Sequence, residues 1–214
     1  GGGREALVEV AEIRNWVVGA DALKIRRDVD FDGSSEELDS DWYGVFLGFR
    51  PRAWLMLYGT LGRTTAETEW DDLDDGLGWS LGIHTRIWRY DLKDPEFLAG
   101  RWSVRAGGEF RRSDHDAGYW QTASASADLH YELFVDSPAA TDRVPFSLGL
   151  YAGPLYSWLN GKVEGDTWTE DFEGDGSWGV AAGAEVHLSH NFLIGLQLEW
   201  VKATSWGVSA RYTF

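Results

Sequence analysis

The sequence predicts an all-β fold: a closed antiparallel up-and-down transmembrane β-barrel of ten strands, with eight as the alternative count. Three observations predict it. Apolar and polar residues alternate with a period of two over long segments, as in a strand with two different faces. The connectors alternate between short ones and acidic ones. Large aromatic residues stand near both ends of the apolar face.

The composition narrows the function classes. The chain of 214 residues carries 35 Asp and Glu against 19 Lys and Arg, a formal charge of -16. Such a balance repels phosphate backbones, so nucleic acid is not an expected partner. The absence of Cys excludes disulfides, thiolate metal sites and Cys nucleophiles. No apolar run approaches the roughly 18 residues that a transmembrane helix needs.

Ten segments show the alternation. In 205–214, for example, Trp206, Val208 and Tyr212 alternate with small or polar residues, and 77–90 repeats the pattern with Leu77 and Leu81. In chain order, the ten segments are 15–28, 41–50, 53–66, 77–90, 101–113, 119–135, 145–161, 176–188, 191–202 and 205–214.

The connectors predict that the two ends of the barrel face different surroundings. "RPR", "DLKDPEFLAG", "SPAATDRVP" and "SHN" are short or mixed in charge, whereas the connectors between them are mostly acidic. The stretches 28–41, 67–75 and 164–175 together hold 19 acids and no Lys or Arg. In an antiparallel meander, connectors of one kind meet at one end. The acids are therefore expected at a single rim.

The two faces of the strands predict which side contacts lipid. Two aromatic girdles around an apolar band suit a membrane barrel, and closure removes the unpaired strand edges that lipid cannot satisfy. The predicted girdle consists of Tyr43, Trp79, Trp102, Tyr119, Trp158, Trp178, Trp200, Trp206, Tyr212 and Phe214. The charged residues of the opposite face are predicted to form a network in the lumen: Arg50, Arg63, Arg86, Arg105, Glu109, Arg111, Asp128, Glu132, Glu185, Glu199 and Arg211.

With these features, residues 15–214 resemble a small bacterial outer-membrane β-barrel. The sharpest motif is "GVSARYTF", where Tyr212 and Phe214 match the aromatic assembly signal of such barrels, although Ser209 stands where the family often has Gly. The resemblance implies an exported protein whose signal peptide has been removed, with both termini and the short turns in the periplasm. It also implies extracellular acidic loops, and outer-membrane lipid, lipopolysaccharide and the barrel-assembly machinery as partners.

Residues 1–14 do not join the alternation. Read as a helix, residues 4–14 place Glu5, Glu9 and Glu12 on one face; read as a strand, they would make an eleventh strand or extend the first. We predict an N-terminal periplasmic segment or linker, which could contact a protein partner, followed by one barrel domain. Acidic extracellular loops are a second place where a protein partner could bind.

A barrel of ten strands lies near the size that side chains fill, far below the roughly sixteen strands of open channels. Basic residues come mainly from the second to fifth strands, and acidic residues mainly from the sixth to ninth. We favour a network of ion pairs that closes the lumen, since buried charges need partners. The alternative is a narrow pore for small polar solutes or ions.

Two outer-membrane hydrolase families resemble parts of the chain weakly, so we expect no enzyme. Omptin proteases pair Asp with His at the outer rim, as "SDHD" does with Asp114, His115 and Asp116, and Asp71, Asp72, Asp74 and Asp75 stand nearby. In that family, however, the acid and the His are two residues apart. Lipid A deacylases suggest His187, Ser189 and Glu199 as an acyl-transfer set. His187 and Ser189 fall beside a short turn, away from the outer leaflet.

The stretch "DVDFDGSSEELD", residues 28–39, resembles the calcium loop of an EF-hand. Asp28, Asp30 and Asp32 hold the first three ligand positions, Gly33 the turn and Asp39 the twelfth, where the family has Glu. Strands on both sides exclude the helix pair of that family. We predict an acidic loop that binds Ca²⁺ or stays solvated, and no other cofactor. The favoured function is a structural or surface-interaction role in the outer membrane.

Overall fold

The computed structural model of the protein describes residues 15–31, 34–67, 72–92, 100–135, 146–164, 169–189 and 191–214. The predicted segment 1–14 lies outside these residues. The strands are β1 (Trp16–Phe31), β2 (Ser34–Arg52), β3 (Leu55–Glu67), β4 (Asp72–Leu92), β5 (Gly100–His115), β6 (Gly118–Val135), β7 (Phe146–Glu164), β8 (Thr169–His187), β9 (Phe192–Val201) and β10 (Ala203–Thr213).

The ten strands form a closed antiparallel barrel. Each strand pairs with the next along the chain, and β10 returns to pair with β1. At this seam, the Phe214 amide donates to the Trp16 carbonyl oxygen at 3.0 Å. The predicted fold class and the count of ten strands are confirmed. Among the described residues, no helix is long and apolar enough to cross a membrane.

The outer face of the barrel is apolar. Side chains as large as Tyr43, Leu81 and Trp178 are 61%, 61% and 74% exposed, far more than a water-soluble barrel leaves uncovered. They alternate along their strands with residues that point inward, so these large apolar side chains face away from the lumen. This arrangement is the one that a lipid bilayer requires of a barrel wall.

The two ends of the barrel differ. We call the end with the β1–β2, β3–β4, β5–β6, β7–β8 and β9–β10 hairpins the acidic end, and the end with the β2–β3, β4–β5, β6–β7 and β8–β9 connections the turn end. At the acidic end, the strands run further than the sequence predicts. β1 continues to Phe31 and β2 begins at Ser34, where a longer loop was expected.

These strand extensions reverse the polarity of the two faces. Val29 and Leu38, which are 1% and 0% exposed, point inward, whereas Asp28 and Asp39 lie on the outward parity. A water-exposed strand can carry acids outside only if an apolar core lies inside it. That core is the apolar plug, a cluster made of Ile25, Val29, Leu38, Ala66, Trp120, Leu159, Val163 and Phe172.

The barrel wall also changes its strand number at the acidic end. β9 and β10 are short and meet at Lys202, which adopts a left-handed φ of 62°. Beyond their hairpin, β1 pairs directly with β8, with Asp30 opposite Glu173 and Phe31 opposite Phe172. Eight strands therefore surround the apolar plug, and ten surround the lumen below it.

Candidate functional site in the barrel lumen

The lumen holds most of the predicted charged network. The structure places ten of its eleven residues along one central cavity: Arg50, Arg86, Arg105, Glu109, Arg111, Asp128, Glu132, Glu185, Glu199 and Arg211. Arg63 is the exception, and its predicted position is wrong. It stands opposite Tyr43 on the outer face and pairs with Asp75, because at the acidic end an outward charge meets water.

Arg105 connects strands of the lumen wall that are up to three positions apart in the ring. Its Nε donates to Asp128 Oδ1 at 2.8 Å on the neighbouring strand β6, and its Nη1 donates to Glu185 Oε1 at 3.0 Å on β8. The guanidinium also lies 4.7 Å from the ring centroid of Tyr151. His130 Nε2 comes within 3.5 Å of the other Glu185 oxygen. One arginine is thus held by two carboxylates and a ring, as buried charges require.

A second group lies nearer the acidic end. Arg111 Nη2 donates to Glu109 Oε1 at 2.8 Å, and the Tyr58 hydroxyl donates to Glu109 Oε2 at 3.1 Å. On the other side of the lumen, Arg27 Nη2 donates to Glu199 Oε2 at 3.0 Å. These pairs lie just below the apolar plug, so the charged layer and the apolar layer are stacked along the barrel axis.

A third group lies towards the turn end. Arg101 Nη1 is 3.5 Å from Glu132 Oε2, and the Ser147 hydroxyl donates to Glu132 Oε1 at 2.7 Å. Arg101 Nε also donates to Asp91, which follows the outward ring of Tyr90 beyond the apolar band. Hydrogen bonds from Arg89 and Arg101 hold the pKa of the Asp91 carboxyl well below its usual range.

The cavity between these groups has a volume of about 500 Å³. At the turn end its wall includes Ala53, Trp54 and Asn191, which belong to the short turns. At the other end its wall reaches Trp42 and Leu155, next to the apolar plug. The cavity is therefore a polar chamber that extends to the turn end and stops at the plug.

Sequence reasoning missed several members of the lumen: Asp21, Arg27, Tyr58 and Arg101 all take part in the contacts of the inner face. Asp21 and Arg27 have the same parity as the buried Val17 and Val29, and this parity is the signal that could have placed them inside. Tyr58 could not be found in this way, since an aromatic residue suits either face of a membrane barrel.

The protease-like residues are not brought together. Asp114 lies on the outer face, where Arg112 Nη2 is 2.7 Å away, whereas His115 turns inward and places Nε2 2.7 Å from the buried Ser113 hydroxyl. Neighbouring residues on a strand point to opposite faces, so Asp114 cannot orient His115. Asp71 and the side chains of Asp72 and Asp74 lie outside the described part of the chain.

The deacylase-like set is also dispersed. His187 Nδ1 lies 3.1 Å from the Ser147 hydroxyl, not beside Ser189. The Ser189 hydroxyl instead accepts hydrogen bonds from the backbone amides of Asn191 and Phe192, and it thereby stabilises the β8–β9 turn. Glu199 binds Arg27, far along the barrel from this turn. The three predicted residues therefore have separate structural contacts.

The stretch 28–39 forms the outer part of the β1–β2 hairpin. Asp28 is opposite Glu37 and Asp30 is opposite Ser35 in a regular ladder. Asp39 is held by Lys24 Nζ at 2.8 Å and by Arg26 Nε at 3.2 Å. Over the described residues, no three His, Asp or Glu side chains are grouped closely enough to hold a metal. Asp32 lies outside those residues, so calcium binding here stays a prediction.

The outer surface at the acidic end carries paired charges. Besides Lys24 and Arg26 with Asp39, Arg63 binds Asp75 and Arg112 binds Asp114. They follow directly on the aromatic residues of the outer face. The structure places all ten residues of the predicted girdle on that face: Tyr43, Trp79, Trp102, Tyr119, Trp158, Trp178, Trp200, Trp206, Tyr212 and Phe214.

No family model and no curated protein matches the chain. Several solved structures are similar in shape. The translocator domain of the autotransporter NalP from Neisseria meningitidis is 11% identical, with a TM-score of 0.40 over 94% of this chain and 88% of that one. An outer membrane channel from Pseudomonas putida F1 is 10% identical, with a TM-score of 0.40 over 94% and 95%.

The beta domain of the Bordetella autotransporter BrkA is 14% identical, with a TM-score of 0.38 over 94% of this chain and all of that one (100%). Similarity at this level does not assign a role to the chain. The lipid-facing character of the wall therefore rests on the exposed apolar side chains of the barrel itself.

Proposed function

We propose that the protein is a bacterial outer-membrane barrel with a structural or surface-interaction role, whose acidic end meets lipopolysaccharide or a protein partner outside the cell. The observation that carries this proposal is the apolar plug. Leu38, Trp120 and Phe172 are 0%, 0% and 1% exposed inside the barrel at the acidic end. A lumen that is closed by packed apolar side chains fits a protein that is anchored in the membrane and presents a binding surface better than it fits a channel.

The plug weighs against the alternative, a narrow pore. A solute that entered the polar cavity from the turn end would meet the buried rings of Trp120 and Phe172 before reaching the acidic end. Moving a charged or polar solute through such a layer carries a large desolvation cost. The contacts of Arg105 with Asp128 and Glu185 add a layer of paired charges below it.

The outer charges support contact with lipopolysaccharide. Lys24, Arg26, Arg63 and Arg112 project from the outer face at the acidic end, each beside a carboxylate. Basic side chains can bind lipid phosphates, and carboxylates can share the divalent cations that bridge those phosphates. A protein surface that carries both basic and acidic side chains at the level of the headgroups is complementary to a layer of lipid phosphates and divalent cations. An enzymatic role is not favoured, because the described members of the predicted hydrolase sets are separated.

Planar-bilayer recordings test the closed lumen. The refolded protein should insert without producing discrete openings at any voltage that the bilayer withstands. A double variant with Leu38→Ala and Trp120→Ala removes plug volume, and its openings would show that the plug is the barrier. Discrete openings of the unaltered protein would support the pore instead.

Surface labelling tests the orientation. An epitope inserted at Lys202, in the β9–β10 turn of the acidic end, should bind antibody on intact cells. The matched control is the same epitope at Trp54 in the β2–β3 turn, which should react only after the outer membrane is permeabilised. The opposite pattern would contradict an extracellular acidic end.

A further inference from the structure

The carboxylates that line the cavity in the lumen are all paired. The structure describes six of them along the wall, and each forms an ion pair with an arginine at a distance of 2.8 to 3.7 Å. The pairs are Asp21 with Arg211, Glu109 with Arg111, Asp128 and Glu185 with Arg105, Glu132 with Arg101, and Glu199 with Arg27. Among the described residues, a cation would therefore meet no unpaired carboxylate on this wall, and an anion would compete with the carboxylates for these arginines.

These pairs still have hydrogen-bonding capacity. A guanidinium carries several N–H donors, and a carboxylate has several acceptor positions. Arg105 uses Nε for Asp128 and Nη1 for Glu185, so its Nη2 lies outside both pairs. The side chains of Glu109 and Glu185 are 21% and 22% exposed, and they line the cavity. Hydrogen-bond donors and acceptors therefore stand side by side on the cavity wall.

Such a wall matches hydroxyl groups, because a hydroxyl donates and accepts hydrogen bonds at the same time. A ligand with several hydroxyl groups can bond to the donor and to the acceptor of one ion pair without separating them. A ligand with a net charge would instead leave water without gaining a free counter-charge, which is costly. The chemistry of the wall therefore favours an uncharged polyhydroxyl compound.

Small residues separate two of the ion-pair groups. Between Arg105 and Glu109 on β5 the inward position is Gly107, and Ser126 stands opposite it on β6. At about 3.3 Å per residue, Arg105 and Glu109 are about 13 Å apart along the strand. Gly107 and Ser126 both line the cavity, and their small size leaves it open at this level. The cavity therefore has room for a ligand between one charged group and the next.

Trp54 lies at the entrance of the cavity. It is 52% exposed, and it belongs both to the β2–β3 turn and to the cavity wall. The turn is held against β4, because the Arg86 amide donates to the Trp54 carbonyl oxygen at 2.8 Å and Arg86 Nη2 donates to the Ala53 carbonyl oxygen at 3.2 Å. Arg86 is directly opposite Arg105 in the β4–β5 register, which places the turn next to the Arg105 group. The flat apolar face of an indole suits the C–H face of a sugar ring.

We propose that this cavity is a binding site for a small neutral sugar, a mono- or disaccharide, whose hydroxyl groups bond to the Arg105 and Glu109 ion pairs and whose ring packs on Trp54. A volume of about 500 Å³ is in the range of small-molecule pockets. The apolar plug closes the site towards the acidic end, so the sugar enters from the turn end. The site goes beyond the proposed surface role and is independent of what the acidic end binds.

Isothermal titration of the full chain tests this site, in a polyoxyethylene detergent whose headgroup contains no sugar. Glucose and maltose are the neutral probes, and glucuronate and glucosamine are the matched anion and cation. We expect saturable binding of at least one neutral sugar and affinities at least about tenfold lower for the two charged sugars, since neither charge finds a free partner. Absence of saturable binding of glucose and maltose up to about 10 mM would overturn the proposal. Equal or tighter binding of either charged sugar would also overturn it.

A pair of matched variants locates the binding inside the barrel. Ser126→Phe fills the space between the two charged groups and should weaken binding of the neutral sugar by about tenfold or more. Ala125→Phe places the same ring on the outer face, one residue away, and should leave the affinity unchanged. The unfolding temperatures of both variants show whether the barrel remains intact. Unchanged affinity in an intact Ser126→Phe barrel would overturn the proposal.

A second pair of variants tests the entrance and leaves the packing inside the barrel unaltered. Trp54→Ala should weaken binding of the neutral sugar by about fivefold or more, because the face of the ring is lost. Trp88→Ala removes an indole of similar exposure, 49%, from the outer face, where it stacks with Tyr90, and should have no effect. Unchanged affinity in Trp54→Ala, or an equal loss in Trp88→Ala, would contradict a sugar at this entrance.

Discussion

Arg105 Nη1 and Glu185 Oε1 lie 3.0 Å apart, although the two residues are separated by 80 positions and belong to β5 and β8. Their side chains are 12% and 22% exposed. The contact passes over β6 and β7 on the inner face and joins two strands that share no backbone hydrogen bonds. It therefore braces the barrel from inside.

Breaking this contact should destabilise the barrel. Glu185→Gln leaves Arg105 with one carboxylate in a partly buried site, and we expect a loss of about 3 kcal/mol in the free energy of unfolding. Denaturant titration in detergent micelles measures it. Asp114→Asn breaks the exposed pair with Arg112 and is the control, with an expected loss below about 1 kcal/mol. Equal losses would show that the lumen contact adds nothing.

Leucines inside and outside the barrel should respond differently to truncation. Leu38→Ala removes a side chain that is 0% exposed in the apolar plug, and we expect a loss of about 2–5 kcal/mol. Leu61→Ala, at a position 58% exposed on the outer face, leaves no cavity and should cost less. Unfolding of both variants in the same micelles makes the comparison. A larger effect at Leu61 would contradict a packed plug.

A charge on the outer face should be costly only within the apolar band. Leu81→Arg places a cation where lipid is expected and should cost about 2–4 kcal/mol on folding into vesicles. Thr65→Arg introduces the same side chain on the outer face at the acidic end and should be almost neutral. If both variants fold equally well into vesicles, the band does not lie in the bilayer.

Close contact between β2 and β3 should make one glycine irreplaceable. A Cβ at Gly62 would overlap the Tyr43 carbonyl oxygen and the backbone of Gly44, so Gly62→Ala should cost about 1–3 kcal/mol. Gly108→Ala is the control, because its nearest contact would be the Ser124 carbonyl oxygen at 3.4 Å. Thermal unfolding followed by circular dichroism compares them. Similar midpoints would show that the sheet relaxes at Gly62.

The calcium prediction for the stretch 28–39 has its own test. If the stretch binds Ca²⁺, added calcium should raise the unfolding temperature of the unaltered chain more than that of Asp30→Asn or Asp32→Asn, because each variant loses a ligand oxygen. Identical shifts in the three proteins would show that calcium acts elsewhere or that the hairpin is only solvated.

The ten strands could be predicted from sequence because lipid demands an apolar residue at every second position across the whole band. Leu81 and Ile83 obey this rule and are both exposed. Beyond the bilayer, the strands need no apolar residue on the outer face. A charge in such a strand is expected to face the lumen, but Arg63 lies beyond the band, faces outward and pairs with Asp75.

The apolar plug was not predicted because it also lies beyond the part of the strands that contacts lipid. Val29 and Leu38 stand in acid-rich stretches that read as loops, yet their parity continues that of the inner face. Contacts such as that between Arg105 and Glu185 could not be predicted from the sequence. Parity assigns a face to each residue, but height and partner depend on how the closed sheet is staggered, which local sequence does not encode.

The pairing of β1 with both β8 and β10 bears on the order of assembly. Asp30 and Phe31 meet β8 above the β9–β10 hairpin, so the first and eighth strands converge over the last two. If that junction forms early, it leaves a gap two strands wide beneath it. The β9–β10 hairpin then pairs with β8 and β1 on its two sides, and the barrel gains its last two strands together.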